Sequence, residues 1–505
     1  MPGSRHWLLN LCPQTLPSTA ALLVSGGDSR IALDAVSGLS VYGCCPCPDP
    51  DLVALGSSTA SLISEAGIAA SDSLRQTCLN QLQHQSLAAV YTLHIERLRS
   101  DLLAQCGVAS GDGVHALLAA SGTDLFLLAV QWLRPQRAVM IEPTETGSGV
   151  PAALRGQHFN RRSSDGRTAQ IGTLVGSWQG ELCTLDARTS DGALRECASV
   201  DAECSARVGE AVKAGQQVLL ILTDVSKTGL IVPSVETALA LKRRWPKQLE
   251  VLVDACQFRL SAQTIRAYLS QNCMVAVTGS KFMSGPTFCG ALMIPPATAA
   301  NYRDIVLSAG ARAYSNAADW PSGWLASQSL LAATNFGLLL RWEAALTELR
   351  SFFAIPDQNI RPFLRRFGQA VQERLARSPC FEALPVAPLN RHALGIGECW
   401  DTEQTIFPFL LYQPAGLAGR RPLSREQTDR LYRQLRNPAA GSAVRRFQLG
   451  QPVPCGTRGG IPVSALRLCV SAPMIASACR GAGAASACAD ALAALDQITH
   501  MIAAL

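Results

Sequence analysis

What this chain lacks narrows its class before anything it contains is weighed. No uninterrupted apolar run reaches the ~18 residues that would mark a membrane-spanning helix. The opening MPGSRHWLLNLCPQ carries one arginine and a short apolar patch without a clear cleavage site. A cytoplasmic protein with no membrane partner is therefore the expectation. An excess of one charge is also missing: 44 basic residues face 38 acidic ones, and the formal charge of +6 is dispersed, which leaves no electrostatic footprint for a nucleic acid. Basic stretches such as LKRRWPK (241–247) and RPFLRRF (361–367) read as solvated faces. Histidine is scarce, 7 scattered copies with no HExxH or short paired spacing, so no metal site is expected. Internal repeats and low-complexity segments are absent too.

What is present describes a large folded protein. With 505 residues, 48% apolar and only 16% charged, the chain can bury a sizeable core, and two or three lobes fit that length better than one. The 18 cysteines do not read as a disulfide framework or a zinc site. Cys44, Cys45 and Cys47 have no counterpart at ligand spacing, and the others mostly sit inside apolar runs, where a free thiol acts as a small hydrophobe.

Along the chain, residues 1–60 are rich in glycine, proline and cysteine and read as an extended arm that contributes to a small domain or to an active-site entrance. A helical pattern follows from 61 to about 106. The runs RAVMIE (137–142), QVLLILTD (217–224), LEVLVDAC (249–256) and CMVAVTG (273–279) are short and nearly continuous in apolar residues, the pattern of strands covered on both faces. VETALALKRRWP and SAQTIRAYLSQ, between them, have helical spacing. This alternation predicts an α/β fold with a mostly parallel central sheet in a large domain, 61–325, and with chemistry in the loops at the strand ends. The rest, 326–505, reads as a linking helix (324–350), a second helix (362–378) and a smaller α+β domain with strands at TIFPFLLY, AVRRFQLG and SALRLCVSA.

One lysine stands out. In VTGSKFMSGPTFCG (277–290), Lys281 follows an apolar strand and precedes a run of glycines, while Asp254 ends the strand LEVLVD, 27 residues earlier. One helix and one strand bring the chain back to the same sheet edge, so an amine and a carboxylate share adjacent strand ends. A simple ion pair would not explain the surrounding glycines and hydroxyls. A covalent cofactor would: an aldehyde held as a Schiff base by Lys281 needs a carboxylate, Asp254, to keep its pyridine nitrogen protonated. Gln257 could donate to a phenolic oxygen of the same ring, and Thr278 and Ser280 could hold phosphate oxygens. Upstream, Ser121, Gly122 and Thr123 open a helix whose exposed N–H groups make an anion seat, with Asp124 expected as its cap.

With SGTD (121–124), TDVSKTGL (223–230), VDACQ (253–257), TGSK (278–281) and ALRLCVSA (465–472) in this order, the chain resembles the class V aminotransferase family of fold type I pyridoxal-phosphate (PLP) enzymes, which includes the cysteine desulfurases. The resemblance spans roughly residues 55–475. It implies a PLP-dependent transferase-like fold, catalytic roles for Lys281 and Asp254, and cofactor contacts from Ser121, Gly122, Thr123, Ser226, Gln257, Thr278 and Ser280. It also implies a substrate-carboxylate role for Arg467, with Arg259 as a further candidate, and a homodimer. The sequence departs from the family where a histidine commonly stacks on the ring. Glu145 and Thr146 are nearest that position, and His158 lies further along. Lys227 stands in or beside a position that often carries asparagine. Tyr314, Ser315 and Asn316 resemble a loop that relatives insert into the partner subunit's phosphate site.

Aminotransfer on an amino acid or related amine is the leading reading of function. The alternatives are a cysteine desulfurase or other β-lyase, for which Cys399 is the tempting thiol although GIGECWDTEQTIFPFLL lacks small flexible residues, and a degenerate scaffold that binds a partner without turnover.

Overall fold

A computed structural model describes residues 15–414, 419–437, 445–481 and 483–504. A first short strand, β1 (Leu52–Leu55), precedes eight that build the large sheet: β2 (His115–Ala119), β3 (Arg137–Ile141), β4 (Glu181–Leu185), β5 (Val218–Asp224), β6 (Ile231–Val232), β7 (Leu249–Ala255), β8 (Met274–Thr278) and β9 (Gly290–Ile294). Five more follow: β10 (Phe381–Ala383), β11 (Ile406–Pro414), β12 (Arg420–Pro422), β13 (Arg446–Arg458) and β14 (Ile461–Cys469).

The large sheet runs β2-β9-β8-β7-β5-β3-β4, with β6 added to β5. Strands β8, β7, β5, β3 and β4 are successively parallel, while β9 is reversed between β2 and β8. The expected mostly parallel α/β sheet is what forms. Its apolar runs are continuous because both faces are covered: Leu220 and Leu222 of β5 enter one core, and Leu219 and Ile221 enter another on the opposite face. Parallel pairing brings the ends of β5, β7 and β8 to one edge, with Asp254 in register between Thr223 and Ala276.

The second sheet runs β1-β13-β14-β11-β10, with β12 on β11. Only β1 pairs parallel, with β13, so residues of the N-terminal arm extend a sheet whose other strands come from the C-terminal region. The first residues of AVRRFQLG, 443 and 444, lie outside the described residues. Every described cysteine is a free thiol, most of them buried. Among the described residues no helix is long and apolar enough to cross a membrane.

One helical expectation is borne out and one is corrected. The helical pattern over 61–106 forms as two helices, Glu65–Gln81 and Leu87–Gln105, the second capped by Ser86 through the Ala89 N–H. The helix expected from 324 instead runs Phe336–Phe353, preceded by a single turn, Leu325–Gln328. Asn335 sets that start: its Oδ1 accepts from the Leu338 N–H at 2.9 Å while its amide donates to the Gly26 carbonyl at 3.0 Å.

This helix anchors the arm through Arg341, which is fully buried. Its guanidinium donates to the carbonyls of Leu23 (3.3 Å), Ser25, Gly26 (2.9 Å) and Phe288 (2.5 Å). A buried cation held by four carbonyls fixes the arm against the end of the sheet. Arg341→Met would leave those acceptors without donors, at ~1–3 kcal/mol for each one that stays dry. We expect R341M to lose ~3 kcal/mol in chemical denaturation and to be cut faster by trypsin within residues 15–60. An arm as protease-resistant in R341M as in the native chain would show that Arg341 does not hold it.

Candidate active site

A cavity of about 220 Å³ opens at the strand-end edge. Its wall is assembled from distant parts of the chain: the arm (Arg30, Tyr42, Ser58, Thr59), the start of the helix Gly122–Leu133, the loops after β3, β5, β7 and β8, and the second sheet through Gln451 and Arg467. Of the residues singled out from sequence, Ser121, Gly122, Thr123, Ser226, Asp254, Gln257, Thr278, Ser280, Lys281 and Arg467 all border it, with Glu145, Thr146 and Lys227.

Lys281 and Asp254 face this space together but do not close into an ion pair; the Asp254 carboxylate accepts instead from the Cys256 N–H at 3.1 Å. Burial lowers the Lys281 pKa, opposed by Cys256 and Asp254, and the Arg467 and Arg259 cations lower it further. Burial raises that of Asp254, opposed by the lysine. Each therefore holds its charge less readily than in water. The backbone around them is pinned: Ser61 Oγ donates to the Lys281 carbonyl at 2.7 Å, and Thr278 Oγ1 donates to the Cys256 carbonyl at 2.6 Å. Gly122 lets the following helix sit directly on these strand ends, since a Cβ there would lie 2.9 Å from Cys256 Sγ.

The anion seat differs in detail from expectation. Ser121, not Asp124, caps the helix, accepting from the Asp124 N–H at 3.2 Å. The fully buried Asp124 carboxylate accepts from the hydroxyls of Ser121 and Ser164, and burial pushes its pKa up to about 6. A hydroxyl has one hydrogen, so Ser121 and Thr278 have theirs engaged and cannot also donate to a phosphate in this arrangement. Ser226 is engaged likewise, donating to Glu145 at 2.7 Å. Sequence reasoning missed Arg30. Its guanidinium pairs with Asp28 and reaches Thr123 Oγ1 and Ser121 Oγ, each at 3.3 Å, while lying 4.6 Å from the Phe288 ring centre. Burial works against its charge, but Asp28 more than compensates and its pKa is raised. The only local signal is an arginine two residues after an aspartate in a glycine turn, SGGDSRI.

On the facing wall Glu145 is committed to structure. It accepts from Ser226 Oγ, from Thr228 N–H (3.1 Å) and Oγ1 (2.7 Å), and from Arg188 Nε (3.3 Å), so Thr146 is left as the nearest side chain on that loop. His158 does not border the cavity; its Nδ1 meets the Tyr314 hydroxyl at 2.6 Å within the same chain. Ser315 accepts from Trp320 Nε1, and Asn316 caps a short turn. Arg259 is also outside: it donates to the Val470 carbonyl and Ser57 Oγ and lies over Phe282, behind the lysine. Gln257 donates to the Ser58 carbonyl at 3.0 Å, leaving one amide hydrogen and an unpartnered Oε1; Thr223 Oγ1 is unpartnered as well. Cys399 is buried away from the cavity beside Asp401 (2.9 Å) and Ser261 (3.2 Å), and its thiol pKa is pushed up to about 11 by burial and that carboxylate.

Arg467 and Lys227 remain. Arg467 donates to Thr59 Oγ1 (2.9 Å) and to the carbonyls of Gln451 (2.5 Å) and Lys227 (3.3 Å), with Nε unpartnered. Gly450 makes room for it, since a Cβ there would lie 3.0 Å from the guanidinium. Among the described residues neither Arg467 nor Lys227 forms an ion pair with a carboxylate. Burial, then Arg467 and Lys281, lower the Lys227 pKa to about 7, opposed by Glu145, and the residue borders the cavity. The unfolded chain keeps that proton up to the ordinary lysine range. Stability is therefore reduced below pH ~7 and recovers as pH rises from there toward 10.5. We expect Lys227→Met to be the more stable form at pH 6 by ~1 kcal/mol or more, with the gap closing toward pH 10 in chemical denaturation. A gap independent of pH would mean that Lys227 titrates as an ordinary lysine.

No family model matches the chain, and no curated protein matches it by sequence. Solved structures do match in shape. A NifS-like protein from Rickettsia africae superposes with a TM-score of 0.52 at 8% identity, over 89% of this chain and 99% of the other. The cysteine desulfurase CsdA from Escherichia coli gives 0.52 at 15% identity, over 89% and 95%. A mutant of C-DES with glycine covalently linked to its PLP cofactor gives 0.51 at 15%, over 88% and 99%. The chain is an α/β protein with the class V aminotransferase-type fold, fold type I of PLP-dependent enzymes, as these NifS-like and cysteine desulfurase structures have it.

Proposed function

We propose that this chain is a PLP-dependent enzyme acting on an amino acid or related amine. The observation that carries the proposal is the half-buried Lys281 amine and the buried Asp254 carboxylate, brought together where adjacent strands end and facing one cavity unpaired. A ligand with an aldehyde at one position and a basic ring nitrogen at another would satisfy both. The remaining donors fit PLP too: Arg30, Thr123 and the first N–H groups of the helix Gly122–Leu133 suit its phosphate, and the free amide hydrogen of Gln257 suits its phenolic oxygen.

When bound, the cofactor supplies an electron sink for a bond broken at the substrate's Cα. In this reading Lys281 would hold the aldehyde carbon of the cofactor and would serve as the base that moves the Cα proton. Asp254 keeps the ring nitrogen protonated. Arg467 grips the substrate carboxylate through its planar donors. The substrate class is supported by that guanidinium and by a cavity of small-molecule size; a homodimer and a cytoplasmic setting rest on the sequence reading.

For the reaction, transamination needs only these groups and is our first reading. Elimination at Cβ, as in a desulfurase or β-lyase, is favoured by what the structural neighbours are named for. Its thiol-relay version finds no support in Cys399, which is buried beside a carboxylate and away from the cavity. One experiment separates the readings. The purified protein should show a visible absorbance band that Lys281→Ala abolishes, and a panel of amino donors should then yield a keto acid without sulfide. Sulfide release from cysteine, unchanged by Cys399→Ser, would establish elimination instead. Without the band the cofactor proposal falls, and a band with neither product would leave a binding scaffold.

A further inference from the structure

Resting on the PLP reading, the charge balance of the cavity narrows the substrate. Four cations border it: Arg30, Lys227, Lys281 and Arg467. Arg30 has its own partner, Asp28. Of the carboxylates facing the space, Asp254 stands opposite Lys281, and Glu145 is held by Ser226, Thr228 and Arg188. Lys227 and Arg467 are left side by side, joined where the Arg467 guanidinium meets the Lys227 carbonyl at 3.3 Å. A buried cation without an anion is costly, and the fully buried Arg467 with the half-buried Lys227 beside it biases the free site toward negative charge. An α-amino acid offers one carboxylate, which Arg467 alone can hold.

We propose that Lys227 is a specificity residue that receives a second anionic group, so that the substrate is an α-amino acid with a side-chain carboxylate. The α-carboxylate lies on Arg467 and the side-chain anion on the Lys227 ammonium. The lowered proton affinity of Lys227 in the free protein is the same fact seen from the other side: an arriving anion returns the proton and raises it. The backbone N–H of Lys227 donates to the Glu145 carbonyl at 2.9 Å, which ties the backbone of the lysine to the Glu145 loop.

The test is a binding comparison of aspartate with asparagine and of glutamate with glutamine, on the native protein, Lys227→Met and Lys227→Arg. Affinity is read from the change in the cofactor band. If that band is missing, so that the PLP reading has failed, affinity is read by calorimetry on the same proteins. We expect at least one acid to bind the native protein ~10-fold or more tighter than its amide, a difference worth about 1.4 kcal/mol. Lys227→Met should remove that preference while leaving the affinity for the amide within about twofold, and Lys227→Arg should restore it. A native protein that binds amides as tightly as acids would overturn the proposal, as would a preference that survives in Lys227→Met. Equal weakening of acid and amide would overturn it too, because Lys227 would then be gripping the shared α-carboxylate.

Discussion

Burying an amine and a carboxylate together while keeping them from neutralising each other is the constraint on which the rest of this molecule depends. Left alone, Lys281 and Asp254 would gain by closing on one another, because desolvation penalises both charges. They stay apart because their backbones are not free to move. Asp254 lies on β7 and Lys281 just beyond the end of the parallel strand β8, and both segments are tied by hydrogen bonds that involve neither the amine nor the carboxylate. The wide apolar sheet below is what makes those strand ends rigid.

The polar shell shows a division of labour. Hydroxyls that look from sequence like ligand contacts are, in several cases, internal braces: Ser226 holds Glu145, Thr278 holds the β7–β8 crossing, and Ser121 caps its helix and bonds Asp124. Their hydrogens are used inside the protein. What faces the cavity with capacity to spare includes the Lys227 and Arg467 cations, the Gln257 amide and the Thr223 hydroxyl, a set rich in donors for an anion.

Much of this was legible in the sequence for a simple reason. Runs such as LEVLVDAC and CMVAVTG are buried on both faces, and that condition writes itself into composition, so the strand ends carrying Asp254 and Lys281 could be located from pattern alone. The pairing of β1 with β13 and the contact of Arg30 with Thr123 leave no such mark, because they join segments far apart in the chain through turns with no period. The fate of a hydroxyl hydrogen is equally invisible: SGTD and TGSK show that serines and threonines are present, not which neighbour takes their proton. Arg259 and Arg467 look alike as arginines near strand ends. Only the structure shows one behind the lysine over Phe282 and the other on the cavity wall. The break before Phe336 hid within a strongly helical composition, and Asn335 decided it through a bond to Gly26 that local pattern cannot contain.

The distance along the chain between the arm and its anchor has a consequence for how the protein comes into being. Gly26 and Arg341 are 315 residues apart. Synthesis delivers the amino terminus first, so a nascent chain exposes Arg30 and Asp28 long before the helix that positions them has left the ribosome. The large sheet can assemble in that interval, while the wall of the cavity that holds Arg30 has to wait for residues beyond 340. The cavity is thereby completed only in chains that are close to finished, and an interrupted translation product would carry Lys281 without the Arg30 guanidinium held against Thr123.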